Sequence, residues 1–443
     1  MIPQLQRETP VSLPGASPQW SLATRIGFRF AFSYFFLYIS QGAVGSLGLN
    51  EKLTGYRAVF ASLWSRLVPW VGTNILGLKD KLREVPNGSG DQLYDYVLVG
   101  CMFVVACVAT AIWSVLDRKR TNYRQLHQWL RLAMRLLLVT ALMNYGAAKI
   151  FPMQFADIPL ARFVDPLGHT SPQGLLWVFM GFSEGYGFFC GFAELLGGLL
   201  VMVPRLTTLG ALISLGALAN VLMLNLCYDV PRKIFTTHLV LVCMFLVLPD
   251  ARRLVNFFLA NRAVEPATMV PFLKDRLLNH GVLALQYLYC LAILALCLVT
   301  SYRGAVQNKT YVDASLRGIW LVEEFVVDNV PQPALVTNVH RWHHVVFDFS
   351  DLFTIQPMDG PLQLCRFTLD GAGKNLELVE LDDPSWKARF TLESRDGDHM
   401  LMTGEANGTA ISATLRKVDL SDPTKFLLRN RGFHWVTPAP RWR

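Results

Sequence analysis

Phe188-Phe189-Cys190-Gly191-Phe192-Ala193-Glu194-Leu195-Leu196-Gly197-Gly198-Leu199-Leu200-Val201-Met202-Val203 is an apolar run interrupted by one carboxylate. A charged side chain at mid-bilayer costs about 2.5–3.5 kcal/mol on insertion scales, so it turns toward protein or water and takes a partner. Gly187, Gly191, Glu194 and Gly198 are spaced 4, 3 and 4, which puts them on one helix face. Small residues on that face admit a second helix at close range, and Glu194 then lies inside a bundle. The segment therefore predicts a membrane-spanning helix packed among others.

The rest of the chain agrees. Of 443 residues, 52% are hydrophobic and only 17% charged, and the mean hydropathy is +0.32. A soluble protein carries about a quarter charged residues. An aromatic content of 12% excludes disorder, and eight cysteines are too few for a disulfide scaffold. The net charge of +8 suggests nucleic-acid binding until the positions are read. Lys and Arg cluster beside apolar runs, as in membrane proteins, and no nucleic-acid partner is expected. Crossing the hydrocarbon core takes about 20 apolar residues. Phe30–Asn50, Tyr96–Leu116, Leu206–Tyr228 and Leu277–Tyr302 meet that length without a charge. Leu136–Ala148, Gly174–Val203 (broken by Glu184 and Glu194) and Ile234–Pro249 bring the expectation to about seven spans. Tyr56–Leu78, with Arg57, Arg66, Pro69 and Gly72, reads as an interfacial helix or re-entrant hairpin. The polar, Pro-rich first 20 residues give no cleavable leader pattern.

Short basic loops stay in the cytoplasm. Asp117–Arg131 and Asp250–Arg276 each hold five Lys or Arg residues, which places the N-terminus inside and the C-terminal domain outside the inner membrane of a bacterium. Glu51–Asp91, with six, opposes that orientation unless it is apposed to the membrane.

From about Tyr311 the period becomes two. Leu376–Leu381, Trp386–Leu392 and Thr409–Arg416 alternate apolar with polar, between turns such as Asp370-Gly371, Asp382-Asp383-Pro384, Asp396-Gly397 and Asn407-Gly408. Eight or nine such strands in about 130 residues predict a small antiparallel, up-and-down β-barrel-like soluble domain. Gly318-Ile319-Trp320 resembles the Gly-x-Trp opening of lipocalin-like barrels. His340, His343 and His344, with His399 and His434, lack a third ligand at defined spacing, so no metal site is expected. In a regular strand His340 and His344 share a face and His343 opposes them. Cys227 and Cys365 both fall on the expected outer side and could pair, but a chance placement of two unpaired cysteines is the better reading. Asp91 in Gly88-Ser89-Gly90-Asp91 reads as a cap on the second span or part of an anion nest.

Polar residues of the interrupted spans are the candidate site. Glu194 is the candidate catalytic group, a proton-exchanging carboxylate. Tyr145, Lys149, Asn220, Asn225, Asp229 and His238 are candidate ligand-binding groups, all expected in the outer half of the membrane. A polar network that only fixes helix packing explains Glu194, Asn220, Asn225 and His238 equally well, and snorkelling explains Lys149 and Lys233.

Several of these residues also carry a resemblance. Tyr145-Gly146-Ala147-Ala148-Lys149, Ala193-Glu194-Leu195-Leu196-Gly197-Gly198, Arg205 with Thr207-Thr208-Leu209-Gly210, and Asn225-Leu226-Cys227-Tyr228-Asp229-Val230-Pro231 recur in that order. On them, residues 131–258 resemble the DoxX-like superfamily of four-helix membrane proteins. Gly88–Asp91 and Ile112–Arg120 resemble a longer bacterial subgroup. The resemblance implies a four-helix core. Its name-giving member is a subunit of a quinone-linked oxidoreductase, while more distant relatives look like trafficking receptors or receptor chaperones. The expected organisation is 1–130, N-terminal spans and interfacial segment; 131–258, DoxX-like core; 259–302, connection and last span; 303–443, extracytoplasmic β domain. Two functions remain open. One is binding of quinone or another lipophilic ligand in an outward-facing polar pocket, with a separate redox partner. The other is a non-enzymatic scaffold, chaperone or cargo-binding protein that uses the β domain for a client.

Overall fold

Apolar runs become helices here, and each helix stops where a breaker or cap appears. The structure, a computed structural model, describes residues 19–43, 54–80, 82–85, 87–266, 271–371, 373–422, 424–432 and 435–436. The polar N-terminus, the far end of the first expected span and His434 lie outside the described residues. Helix α1 (Leu22–Tyr38) starts eight residues before the expected Phe30, because the Ser21 hydroxyl accepts the Thr24 N–H at 3.1 Å. A π-helical turn, Ile39–Ala43, continues it. Helix α2 (Thr54–Asn74) runs through Pro69 as one helix and not a hairpin. Helices α3 (Leu93–Leu116) and α4 (Arg124–Ile150) follow. The expected single segment Gly174–Val203 is two helices, α5 (Pro172–Phe182) and α6 (Glu184–Met202). Ser183 is extended between them, and its hydroxyl accepts the Tyr186 N–H at 3.2 Å, so Glu184 opens a new helix. Helices α7 (Thr207–Cys227), α8 (Lys233–Val247), α9 (Ala251–Phe258) and α10 (Arg276–Asn308) complete the helical part.

Among the described residues, five helical stretches are long and apolar enough to cross a membrane: α3, α6, α7, α8 continued through α9, and α10. Their surface matches that role. Phe103, Val104, Val108 and Ile112 on α3 and Leu285, Leu288 and Leu291 on α10 are exposed, a surface that water would not tolerate and lipid does. The helical part is that of a multi-pass membrane protein.

The chain forms two compact units, Met1–Met143 with Ala193–Leu294, and Asn144–Phe192 with Ala295–Arg443. In the first, polar contacts mark both ends of the helices. At one end the Asp91 carboxylate, just before α3, accepts the N–H groups of Lys233 and Ile234 at 2.6 and 2.9 Å. Asp91 thus caps α8 and not α3, whose entry is held instead by Asp95 accepting the Gln92 N–H at 2.9 Å. At the other end Arg135 of α4 donates from Nε to the Val201 carbonyl at 2.9 Å and from a terminal nitrogen to the Met202 carbonyl. Gln286 of α10 donates to the same Met202 carbonyl at 2.6 Å. Gly210 of α7 meets the α6 backbone so closely that a Cβ would collide with the Val201 nitrogen.

In the second unit β1 (Gly318–Val327), β2 (Val330–Pro331), β3 (Trp342–Phe347), β4 (Leu352–Pro357), β5 (Gln363–Leu369), β6 (Asn375–Glu380), β7 (Lys387–Asp396), β8 (His399–Ala406) and β9 (Thr409–Lys417) form one antiparallel sheet. Pairing of β1 with β9 closes eight of these strands into an up-and-down barrel, and β2 is a short spur on the end of β1. Trp320, Phe325, Phe347, Phe353, Phe367 and Phe390 fill the interior with buried neighbours such as Val322, Val345, Ile355, Leu378, Met402 and Leu415. Gly404 is required where β8 crosses Phe390, since a Cβ there would strike the Arg389 carbonyl. The connection after α4 clasps the outside of this barrel. Leu160 and Ala161 cover Ile319 and Val346, and the Leu160 N–H donates to Asp348 at 2.8 Å. Asp348 also accepts from Arg317 at 3.0 Å.

The clasp makes a prediction about the isolated barrel. Residues 311–443 alone should keep the β fold but expose Ile319 and Val346, each worth about 1.5–3 kcal/mol when covered. The fragment should therefore self-associate by size-exclusion chromatography. Ile319→Thr with Val346→Thr should restore a monomer with unchanged circular dichroism. A monomeric wild-type fragment would show that the clasp is dispensable.

Candidate functional site

Helix α6 buries one face. Gly191, Glu194, Leu195, Gly197 and Gly198 are buried, while Phe188, Phe189, Phe192 and Leu199 are exposed. The glycines make this possible. A Cβ on Gly191 would lie 2.5 Å from the Gly146 carbonyl oxygen, and one on Gly198 would lie 2.7 Å from the Met143 side chain. Helix α4 therefore runs against the glycine face, as the 4, 3, 4 spacing requires. Glu194 is 3% exposed at the middle of α6. Gly197 faces Ser214 of α7, whose hydroxyl donates to the Gly210 carbonyl at 2.8 Å.

His238 is a buried polar group of the first unit. It lies on α8, 3% exposed. Its Nδ1 is 2.7 Å from the Ile234 carbonyl, so Nδ1 carries the proton and Nε2 is left as an acceptor. The Tyr34 hydroxyl of α1 donates to Nε2 at 2.8 Å. The Tyr38 ring stacks on the imidazole with centroids 4.0 Å apart and planes 1° apart. Tyr34 and Tyr38 are functional candidates that the sequence reading missed. Two tyrosines four apart in an apolar run were the available signal.

Other expected residues scatter. Asn225 is buried, and its amide donates to the Thr236 hydroxyl at 2.9 Å, tying the end of α7 to the start of α8. Asn220 is exposed on α7, five residues and about 140° round the helix from Asn225. Asp229 occupies a left-handed turn (φ 52°) and pairs with Lys233 at 2.8 Å. Its side chain is exposed, so that pair adds little stability. Tyr145 and Lys149 belong to the second unit, where the Lys149 ammonium sits 5.5 Å from the Tyr145 ring centre. Glu184 at the start of α6 lies 3.6 Å from Lys309, which also faces Asp157 at 3.8 Å.

The barrel histidines depart from the expected pattern. A bulge between Trp342 and His344 breaks the alternation, so His343 and His344 lie with ring centres 4.2 Å apart instead of on opposite faces. His340 precedes the strand. His344 Nδ1 donates to the Gln356 side-chain oxygen at 2.7 Å, and Gln356 donates to the Val164 carbonyl of the clasp. No cluster of three metal-ligating side chains occurs among the described residues. Cys227 and Cys365 are both free thiols, and Cys365 is sealed in the barrel, where burial pushes it up to about 12.

Two outcomes follow. Burial holds His344 at about 4, well below its ordinary value of 6.5. The neutral form is favoured by folding, so its contribution is complete above pH 6.5 and is lost as pH falls toward 4. The loss is at most about 3 kcal/mol and smaller after solvent screening. Barrel melting should weaken across that window in wild type and less in His344→Gln; parallel pH profiles would remove His344 as the cause. For the cap, Asp91→Ala should cost about 0.5–2 kcal/mol by thermal melting in detergent. An unchanged melting temperature would mean that α8 does not depend on Asp91.

Comparison with known proteins places the chain among relatives. No family model matches it, and no solved structure matches it at a significant level. It is 32% identical over 125 residues to the uncharacterized protein YwoB of Bacillus subtilis (strain 168). That alignment covers 28% of this chain and 79% of YwoB. Identity of this order across most of the relative's length means that the chain belongs to the family of YwoB.

Proposed function

We propose that this is a DoxX-like protein of the bacterial inner membrane that holds a lipophilic ligand, a quinone fitting the chemistry, among its spanning helices as part of a redox system. The observation that carries the reading is a carboxylate 3% exposed at the centre of a helix long enough to cross the membrane. Glu194 exchanges a proton. The Tyr34–His238 pair offers a neutral hydroxyl and imidazole of the kind that hydrogen-bonds a ring carbonyl. A separate protein supplies the redox partner. Helices α1 and α4 join the five apolar stretches as sixth and seventh spans. Arg25 at the start of α1 donates to the Arg120 carbonyl beyond the end of α3, so the two helices share an end. On this reading the basic segments lie in the cytoplasm, and the course of α4 and α10 from them into the second unit supports a barrel on the outer side.

A scaffold or chaperone role has its own support. The loop after β1 exposes Val330, Leu335, Val336 and Val339 at the barrel end opposite to the one where α10 enters. Such a patch suits a client protein.

Solvent extraction and mass spectrometry of the purified protein separate the two. The ligand reading expects a stoichiometric lipophilic cofactor in wild type. Glu194→Gln should accumulate and melt normally yet lose that cofactor or the activity that needs it. Depletion of the mutant from the membrane, at a cost of about 3–5 kcal/mol, would make Glu194 a packing residue. For sidedness, Gly397→Cys at an exposed barrel turn should react with an impermeant thiol reagent in intact spheroplasts, and Lys119→Cys only after lysis. The reverse pattern would invert the topology.

A further inference from the structure

Three cationic stretches meet at one end of the first unit. Arg25 donates to the carbonyls of Arg120 and Arg118 at 2.8 and 3.4 Å, which fixes the start of α1 on the segment after α3. The Gln125 amide donates to the Phe272 carbonyl, and the Trp129 ring packs on Phe272 with centroids 5.7 Å apart. That contact carries the segment before α10 onto the start of α4. The Thr208 hydroxyl donates to Asp250 at 2.5 Å and holds the start of α9 beside α7. Across residues 117–131 and 250–276, eight Lys and Arg side chains are exposed, against two exposed acids, Glu265 and Asp275, among the described residues. Arg131 and Arg253 are the exceptions; both are half-buried, and Arg253 donates to Asp250 at 2.6 Å and to the Glu265 carbonyl at 3.1 Å.

Helix α9 gives this face an apolar side. Ala251, Leu254, Val255 and Phe258 are spaced i, i+3, i+4, i+7, and Arg252, Arg253 and Asn256 occupy the other side. Val255, Phe258 and the following Leu259 are exposed. The stripe continues from α8, where Leu241, Met244 and Leu248 belong to the same lipid-type surface. An apolar stripe that continues the lipid-facing surface and ends among unopposed cations fits one occupant.

We infer that this end of the protein binds the anionic headgroups of a phospholipid leaflet. Helix α9 lies in the interface with Val255 and Phe258 at the acyl boundary. Arg252, Arg262 and Lys274 stand at phosphate level, at the same end of the unit as Arg118, Lys119 and Arg120. Charge that served only to orient the protein during insertion would leave no equilibrium preference for one lipid over another, and that difference is measurable.

The full chain is reconstituted with equimolar phosphatidylglycerol and phosphatidylcholine of matched acyl chains, re-extracted in mild detergent, and its retained lipid quantified by mass spectrometry. Wild type should retain an excess of phosphatidylglycerol that diminishes with added salt. Arg252→Gln and Arg262→Gln should each reduce the enrichment by up to about fivefold, the equivalent of ~1 kcal/mol per cation at an anionic surface. Arg303→Gln, at the far end of α10, should leave it unchanged. Retention at the input ratio by wild type would overturn the inference. So would enrichment that survives the double variant, or that falls equally with Arg303→Gln.

Discussion

A helix ending in an apolar medium leaves its last carbonyls or first N–H groups without partners, and each such group costs several kcal/mol where no water can reach it. Arg135 answers that constraint at the end of α6, where its guanidinium satisfies the Val201 and Met202 carbonyls. The cation also faces the negative end of the α6 dipole, so no carboxylate is needed to hold it. Because Arg135 comes from α4 and Gln286 from α10 meets the same carbonyl, satisfying one helix end registers three helices. Asp91 does the same at the opposite end for α8. The bundle is thus fixed at its ends by polar groups and along its length by glycine contacts, which need no water to drive them.

The barrel solves the same problem by a different route. Closure of β1 on β9 leaves no edge along most of the sheet, and the ladder satisfies the backbone. Where the bulge in β1 interrupts the ladder, Arg341 enters and donates to the Val322, Glu323, Gln332 and Trp342 carbonyls. It is 2% exposed and held by these carbonyls together with the Met358 sulfur, which accepts at 3.4 Å. Arg135 in the helices and Arg341 in the barrel thus both serve backbone that secondary structure leaves unsatisfied.

Legibility in the sequence follows from how local the cause is. The strand positions of β6, β7 and β9 were readable because alternation is a two-residue property, and the buried face of α6 because glycine spacing is a four-residue one. The break at Ser183 was not, since the apolar run continues through it and only the local capping bond marks it. The role of Asp91 was misplaced for a different reason. A cap acting across 142 residues leaves the same local pattern as one acting on its own helix. The histidine pair failed because one bulge residue reverses which face a strand side chain occupies. Within the candidate site, Glu194 and His238 are buried as expected, while Asn220 was grouped with Asn225 by proximity in sequence and not by helix angle.

Glycine contacts also constrain what Glu194 can do. A carboxylate between Gly191 and Gly198 sits where α4 and α6 come closest, so that a Cβ at either glycine meets atoms within 2.7 Å. Backbones this close leave little freedom for α6 to rotate or slide. The polar side chain is positioned by the rigidity of its surroundings.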